Sequence, residues 1–269
     1  MFFSHDDLNG RQFLALYGAL LLLVIYLGFA IPHYLRAPGR DPGSLDDEQA
    51  AYLSGGRDRF FDLVITRLLS AKSLALSGKG RIEIVERRGS RSEAEASLLA
   101  LPSPLDWGAV EDALGPHVRR LKNKLVADGL LMSPTRLTLL RLCQTLPYLL
   151  LIVFGISRWR YGTALDHPTG FLTALLVVTT VFALMRWFIP ETRTRSGIAA
   201  IETAKARAER LGRAPTADEA GLAVALFGTT VLAGSSWNDF HLMRTGSNSN
   251  DGGGGCGGGG CGGCGGCGG

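Results

Sequence analysis

Charged residues are scarce in this chain. Asp, Glu, Lys and Arg make up 19% of its 269 residues, and the mean hydropathy is +0.16. Soluble globular proteins carry about 25% charged residues. The deficit argues against an ordinary soluble protein and directs attention to apolar segments long enough to lie in a membrane.

Catalytic motifs are missing as well. The sequence has no Gly-x-Ser-x-Gly turn, no His-Glu-x-x-His helix and no Gly-x4-Gly-Lys-Ser/Thr phosphate loop. Its five histidines are scattered singly, and the Asp166-His167 pair is more typical of a turn than of a catalytic site. Cys143 is expected to be a small apolar core residue. We therefore expect a protein that is not an enzyme.

A strong excess of positive charge is missing too. Residues 41–135 contain thirteen Lys and Arg against fourteen Asp and Glu, whereas nucleic-acid binding requires a basic face. The basic run from Arg119 to Lys124 is therefore predicted to be the solvated side of a helix or a contact for anionic lipid headgroups. We expect no nucleic-acid partner.

Three blocks hold the apolar excess. Phe13 to Ile31 is nineteen residues without a charge, about 28 Å as a helix, which matches a bilayer core of about 30 Å. Leu142 to Ser157 and Phe171 to Ile189 follow as a pair. The predicted fold is an α-helical multi-span membrane protein with transmembrane helices at residues 13–32, 137–157 and 169–189. A cleaved signal peptide for the first block and a buried soluble core for the other two are the alternatives.

Prolines and arginines mark the ends of these blocks. Pro32 is predicted to stop the first helix, whereas Pro168 is predicted to start the third and Pro190 to end it. The long arginine side chains that flank the spans can reach the lipid headgroups. These membrane-flanking residues are Arg36, Arg141, Arg158 and Arg186.

The distribution of positive charge predicts the orientation. If residues 1–12 are extracytoplasmic, the outer side carries Arg11, Arg158 and Arg160 near the span ends, and many more basic residues fall inside. We therefore expect a multi-pass protein in the lipid bilayer of the inner (plasma) membrane. Its amino terminus is expected outside and its carboxyl terminus in the cytoplasm.

Residues 41–135 are predicted to form a small cytoplasmic α/β module. A helical stripe from Phe61 to Leu69 precedes an alternating apolar pattern that predicts a β-hairpin, with Leu74, Leu76, Ile82 and Ile84. The same plan is predicted to repeat downstream, where Gly115-Pro116 separates two helices. Helix followed by hairpin, twice, resembles two winged-helix halves.

Helices are predicted again at residues 196–243, in the cytoplasm or at the membrane interface. Thr216 and Glu219 form a capping-box pattern. The apolar residues 221–234 are too few for a span. They are expected to dock on the membrane face or on the module, whereas a crossing there would place the carboxyl terminus outside.

Residues 245–269 have the most unusual composition of the chain. From Gly252 to Gly269 only glycine and cysteine occur, and this segment holds four of the five cysteines: Cys256, Cys261, Cys264 and Cys267. Glycine has no side chain to bury and loses much entropy on ordering. We predict a disordered tether, here called the tail, whose function lies in its thiols.

Four functions are open for these cysteines. Their spacing is typical of metal ligands and would suit soft Cu(I) or Zn(II), although glycine neighbours offer no groups to support the ligands. A bare peptide with one repeated reactive group also suits a cysteine-modifying enzyme, as its substrate or carrier. The tail would otherwise be an inert low-complexity linker or a redox relay, and no charge in the tail activates a thiol for a relay.

The tail and two internal segments resemble a known family. The Cys-Gly-Gly repeats, the motif from Leu222 to Gly228 and the segment from Tyr52 to Leu76 are similar to an uncharacterised family of bacterial three-helix membrane proteins with Gly/Cys-rich carboxyl ends. The resemblance covers most of the chain. It implies a gene beside a multinuclear-iron oxidative enzyme of the class that modifies cysteines in ribosomally made peptides. It implies no catalytic residue.

Overall fold

The computed structural model describes residues 10–35, 39, 43–77, 81–87, 89–164, 170–188, 192–213 and 215–247. Within these ranges the chain is mostly helical and contains one two-stranded sheet. The α-helices are α1 (Gly10–Leu35), α2 (Asp47–Ser70), α3 (Glu93–Leu99), α4 (Trp107–Ala127), α5 (Pro134–Ala164), α6 (Gly170–Phe188), α7 (Arg195–Arg207), α8 (Glu209–Arg213), α9 (Ala220–Phe227) and α10 (Asn238–Ser247). The strands are β1 (Leu74–Ser77) and β2 (Arg81–Ile84).

The chain divides into two compact units. The first, here called the apolar unit, comprises Met1–Gly39 and Leu131–Arg195. The second, here called the polar unit, comprises Arg40–Leu130 and Ser196–Gly269. Residues 196–243, which were predicted as a segment separate from the module at residues 41–135, therefore share one unit with residues 40–130.

The apolar unit contains three helices long and apolar enough to cross a membrane. The qualifying segments are Gln12–Ile31, Pro134–Arg160 and Gly170–Phe188, which confirms the three predicted apolar helices. They pack around a buried core that includes Phe13, Tyr17 and Tyr148. The Tyr17 hydroxyl and Thr179 Oγ1 are 3.1 Å apart across α1 and α6, so the core also holds a polar contact.

The predicted ends of these helices need correction. Pro32 does not stop α1, which continues to Leu35, and α5 runs through Pro147 and extends beyond residues 137–157 at both ends. A proline costs a helix one hydrogen bond and a clash with the preceding turn. Helices supported by neighbouring helices tolerate that loss. Pro168 and Pro190 lie outside the described residues.

The polar unit is organised around α2. Its first turn is closed by a capping box between Asp46 and Gln49. Gly55 and Gly56 then interrupt the helical geometry, and Gly56 has a φ of 72°, a value that favours glycine. Residues of α2 on both sides of this kink are fully buried. The kink therefore divides α2 into two buried segments.

The β-hairpin after α2 confirms the sequence prediction. β1 and β2 are antiparallel, with Leu74 opposite Ile84 and Leu76 opposite Ile82. Leu74 and Ile82 face the core that α2 and α4 share. The turn at residues 78–80 lies outside the described residues.

The predicted second helix-hairpin repeat is wrong. Gly115-Pro116 does not separate two helices, since α4 is continuous from Trp107 to Ala127. Val110, Leu114 and Val118 lie four residues apart and are all buried on one face. Burial of this stripe outweighs the bond that Pro116 removes. Among the residues that the structure describes, the β1–β2 hairpin is the only one.

The last helices of the chain complete the polar unit. α9 packs along α2, and its Ala223, Val224 and Ala225 are fully buried, which confirms that this apolar segment docks on the module. A short 3-10 turn, Thr229–Leu232, connects α9 to α10. α10 extends to Ser247, so residues 245–247 form helix where the start of the tail was predicted.

Candidate functional site

The four tail cysteines, Cys256, Cys261, Cys264 and Cys267, lie outside the described residues. The structure instead shows how the polypeptide that precedes them is held. The last described residue is Ser247, at the end of α10. The attachment of α10 therefore defines where the tail leaves the folded protein.

α10 is fixed at its amino-terminal end by packing. Phe240 is fully buried in the core of the polar unit, together with Phe61 and Leu232. A Phe side chain buries roughly 150–250 Å², so it is a strong hydrophobic anchor. The preceding turn is closed by Asn238, whose Oδ1 accepts a hydrogen bond of 3.2 Å from the Gly234 amide.

A buried ion pair fixes the carboxyl-terminal half of α10. Arg244 Nε donates to Asp62 Oδ1 of α2 at 2.6 Å, and the two side chains are 17% and 10% exposed. The Arg244 guanidinium also lies 4.5 Å from the ring centroid of Trp107, which adds a cation–π contact. We call Asp62, Trp107, Phe240 and Arg244 the α10 anchor.

The pKa of Asp62 shows how enclosed this ion pair is. Burial raises the pKa of the Asp62 carboxyl above its ordinary value, and Arg244 opposes the rise through its charge and hydrogen bond. Burial disfavours the charged form of a carboxyl group. Arg244 therefore favours the ionised form of Asp62 against the effect of burial.

A second pair of contacts holds Trp107 in place. Its indole Nε1 donates to Glu111 Oε1 at 3.0 Å, and Arg57 Nη2 donates to Glu111 Oε2 at 2.5 Å. The Arg57 guanidinium lies 5.1 Å from the ring centroid of Phe61. These contacts join α2 to α4 and orient the ring against which Arg244 stacks.

Two segments quoted for the family resemblance meet at the α2–α9 contact. Arg59 Nη1, next to the kink of α2, donates to the Val224 carbonyl at 3.1 Å. Gly228 ends α9 with a φ of 96°, and a Cβ there would lie 2.9 Å from Arg59 Cζ. Only glycine fits at this position without displacing the arginine. Arg59 and Gly228 therefore help to fix the end of α9 against α2, ahead of the turn that connects α9 to α10.

The arginines that were predicted to flank the membrane differ in their surroundings. The Arg158 guanidinium lies 5.4 Å from the Phe13 ring centroid, and that of Arg186 lies 4.1 Å from the Phe29 ring centroid. Arg141 lies in the third turn of α5. Arg36 lies outside the described residues.

The described part of the chain offers one Ser–His contact. Ser97 Oγ and His117 Nε2 are 2.9 Å apart, but the Ser97 hydroxyl also donates to the Glu93 carbonyl at 2.9 Å. Its proton is therefore engaged by the helix backbone. No group of three His, Cys, Asp or Glu suited to a metal ion occurs in the described ranges.

Sequence reasoning missed the α10 anchor. Asp62 and Arg244 are separated by 182 positions, and neither stands in a recognisable motif. The only related signal in the sequence is Gly228, which marks the end of α9 ahead of the anchor, because a glycine directly after an apolar helix is typical of a helix end.

Comparison with known proteins identifies no relative of this chain. No family model, no curated protein and no solved structure matches this chain.

Proposed function

We propose that this protein is a three-span integral membrane protein that presents a cytoplasmic Gly/Cys tail to a cysteine-modifying partner, as its substrate or carrier. In this proposal the protein catalyses no reaction itself. The folded polar unit holds the tail, and the apolar helices hold the polar unit at the membrane.

The observation that carries the proposal is the joining of residues 40–130 and 196–247 in one unit. Their buried side chains form a single core, in which Val224 and Phe240 pack among residues of α2 and α4. Two segments of one core must lie on the same side of a bilayer. One candidate span precedes the first segment, and two lie between the segments. Because two crossings return the chain to the side from which it started, three spans in total place both segments on the same side.

The same core argues against a fourth span at residues 221–234. α9 has eight residues, far fewer than the roughly 20 that a spanning helix needs. Its buried face is already occupied by α2. The tail therefore leaves α10 on the side of the membrane where the polar unit lies. Positive charge near the span ends favours the cytoplasm for that side.

The length of the tail sets its reach from this exit point. Cys256 lies nine positions after Ser247, so that cysteine lies at most about 32 Å from the end of α10. Cys267 lies at most about 70 Å away by the same limit. A partner could engage every thiol without unfolding the polar unit.

Composition supports a substrate or carrier more than a preformed metal centre. Ordering the twelve residues from Cys256 to Cys267 would cost roughly 12–24 kcal/mol of backbone entropy. Structural zinc sites show an apparent binding energy of about 10–16 kcal/mol that already includes folding. A modifying enzyme orders only the few residues in its active site. Loose Cu or Zn binding is the competing proposal.

The experiment is the mass of the tail purified from the native host. Trypsin cleavage after Arg244 of the denatured protein releases residues 245–269, which contain all four tail cysteines and exclude Cys143. We expect a mass that differs from the sequence mass by a covalent change on at least one cysteine. Protein made in an unrelated host provides the matched control and is expected to show the unchanged mass.

Two other results would contradict this function. In the first, the tail from the native host has an unchanged mass, and the intact protein retains Cu or Zn. If a variant with all four tail cysteines changed to serine loses that metal, the result supports metal binding. An unchanged tail without metal supports an inert linker. The tryptic peptide that contains Cys143 serves as the internal control for oxidation during purification.

A further inference from the structure

The carboxyl-terminal half of α4 exposes a patch of positive charge, here called the basic face. Its members are Arg119, Arg120, Lys122 and Lys124. All of them are exposed, and no acidic residue lies between them in the sequence. Val118 and Leu125, on either side of the run, are buried in the polar unit. The basic face therefore points away from the core.

An ion pair at the surface compensates one of these charges. Arg120 Nη1 of α4 lies 3.2 Å from Glu93 Oε2 of α3, and both side chains are largely exposed. Arg119, Lys122 and Lys124 pair with no acidic residue in the described part of the chain. Three positive charges within two helical turns are therefore uncompensated.

The helix dipole accounts for only one of the three. Positive side chains stabilise a helix when they lie in its last turn, near the carbonyl groups that lack a partner in the helix. Lys124 is the basic residue in the last turn of α4, which ends at Ala127. Arg119 and Lys122 lie further from that end, where the dipole has little effect. Their charges therefore do not serve to stabilise the helix end.

The basic face lies on the last helix before a candidate span. α4 ends at Ala127 and α5 begins at Pro134. Lys124 lies ten positions before Pro134, so the two residues are at most about 35 Å apart. If α5 crosses a membrane, the chain itself keeps the basic face within reach of the lipid headgroups. Basic residues next to a span are attracted to anionic lipids.

We propose that the basic face of α4 docks on anionic phospholipid headgroups of the membrane that α5 crosses. Arg119, Lys122 and Lys124 supply the attraction, and the polar unit is held at the leaflet by this contact as well as by its covalent connections to the spans. The proposal rests on the spans of the proposed function crossing a membrane. It does not depend on the chemistry of the tail.

The charge balance favours a lipid surface over a nucleic acid. Residues 41–135 contain thirteen Lys and Arg against fourteen Asp and Glu, so the basic face is a local patch in a module without excess positive charge. A nucleic acid gains its affinity from many phosphate contacts. A patch that is already tethered to a membrane needs only a few charges, because the tether keeps the local concentration of headgroups high.

The test measures the distance between the basic face and the lipid headgroups in the full-length protein. Asn123 is exposed and lies one helical turn after Arg119. Asn123→Cys, with the five native cysteines changed to serine, carries a donor fluorophore, and labelled headgroups carry the acceptor. The protein is placed in nanodiscs of phosphatidylcholine alone or with about 30% phosphatidylglycerol as the anionic lipid. Both lipids contain a phosphate, so a difference between them reports the net charge of the lipid.

We expect more energy transfer in the anionic nanodiscs. Salt at about 1 M is expected to abolish the difference, because it shortens the screening length to about 3 Å. Changing Arg119, Lys122 and Lys124 together to glutamine is expected to lower the ratio of docked to undocked protein roughly a hundredfold. Each basic residue near an anionic surface contributes about fivefold to that ratio. Energy transfer should then fall to the value in phosphatidylcholine alone.

A matched control removes the same charge elsewhere in the polar unit. Lys72, Arg81 and Arg91 are exposed and lie outside α4. Their combined change to glutamine is expected to leave energy transfer in the anionic nanodiscs unchanged. Equal transfer in the two kinds of nanodisc, or an equal loss in the control variant, would overturn the proposal.

A nucleic-acid partner gives a different result. Labelled double-stranded DNA is expected not to bind the protein in phosphatidylcholine nanodiscs at physiological salt. If DNA binds, and the change of Arg119, Lys122 and Lys124 to glutamine abolishes its binding, the basic face is a nucleic-acid contact and a lipid partner is refuted. None of these outcomes alters the expected mass of the tail, so failure of this proposal is distinguishable from failure of the proposed function.

Discussion

Replacing Arg244 with methionine is the sharpest test of how α10 is held. The change keeps an unbranched side chain of apolar character but removes the charge that pairs with Asp62 at 2.6 Å. Removal of one member of a buried ion pair costs about 3–5 kcal/mol. We expect the lower end, about 3 kcal/mol, because Arg244 is 17% exposed and Asp62 can take up a proton. Lost stacking on Trp107 contributes about 0.5–1 kcal/mol of this.

Hydrogen exchange of the full-length protein measures the effect where it is expected. Amides of α10 exchange through local opening, whose free energy sets their rate. A loss of about 3 kcal/mol corresponds to exchange roughly a hundredfold faster. Arg213→Gln is the matched control, because Arg213 pairs with Glu209 at the surface with 80% and 72% exposure. Such pairs contribute less than about 1 kcal/mol, so α10 exchange is expected to stay unchanged.

A neutral partner distinguishes the ion pair from a packing effect. In Asp62→Asn combined with Arg244→Met, no unpaired charge is left in the protein interior. We expect the double variant to be less perturbed than the sum of the single variants, as coupled neighbours are. If Arg244→Met leaves α10 exchange within about threefold of the unchanged protein, the buried pair does not hold the helix and the anchor is refuted.

Three further outcomes are expected. Phe240→Ala should lower the stability of the polar unit by about 3–5 kcal/mol in chemical unfolding, whereas Leu242→Ala, 56% exposed on the same helix, should change it by less than about 0.5 kcal/mol; equal effects would contradict the assigned core. Gly228→Ala should cost about 1–3 kcal/mol because of its φ of 96°, and Gly246→Ala, with open space around it, should be neutral or slightly stabilising in thermal unfolding. Hydrogen bonds from a threonine and an arginine lower the pKa of Glu219 to about 2. Its stabilising contribution is therefore complete above the ordinary pKa of a glutamate and is lost as the pH falls from there through about 2. Glu219→Gln should reduce the loss of stability between neutral and acidic pH, and an unchanged pH profile would contradict the pairing.

The apolar helices were predictable because their signal is local. An apolar run such as Phe13 to Ile31 can be recognised from its own residues, without knowing which segment packs against it. Helix ends were less predictable. Pro32 and Pro116 are helix breakers by local rules, yet α1 and α4 continue through them. Packing of the neighbouring turns decides the outcome there, and one sequence does not show which face is packed.

The organisation of the polar unit was not predictable from local patterns. The hairpin at Leu74 to Ile84 followed from alternation. The docking of α9 on α2 depends instead on buried small side chains such as Ala223, which meet a helix that is distant in sequence. The α10 anchor is of the same kind, because Asp62 and Arg244 are brought together only by the folded core. Long-range ion pairs carry no signal in a single sequence.

The most direct test asks on which side of the membrane the tail lies. A site-specific protease sequence inserted after Asn250 makes release of the tail independent of the state of its thiols. Inverted inner-membrane vesicles, which expose the cytoplasmic face, are expected to release the tail when the protease is added, and intact spheroplasts are expected to retain it. Release from intact spheroplasts, with none from inverted vesicles, would contradict a cytoplasmic tail and the partner proposed for it.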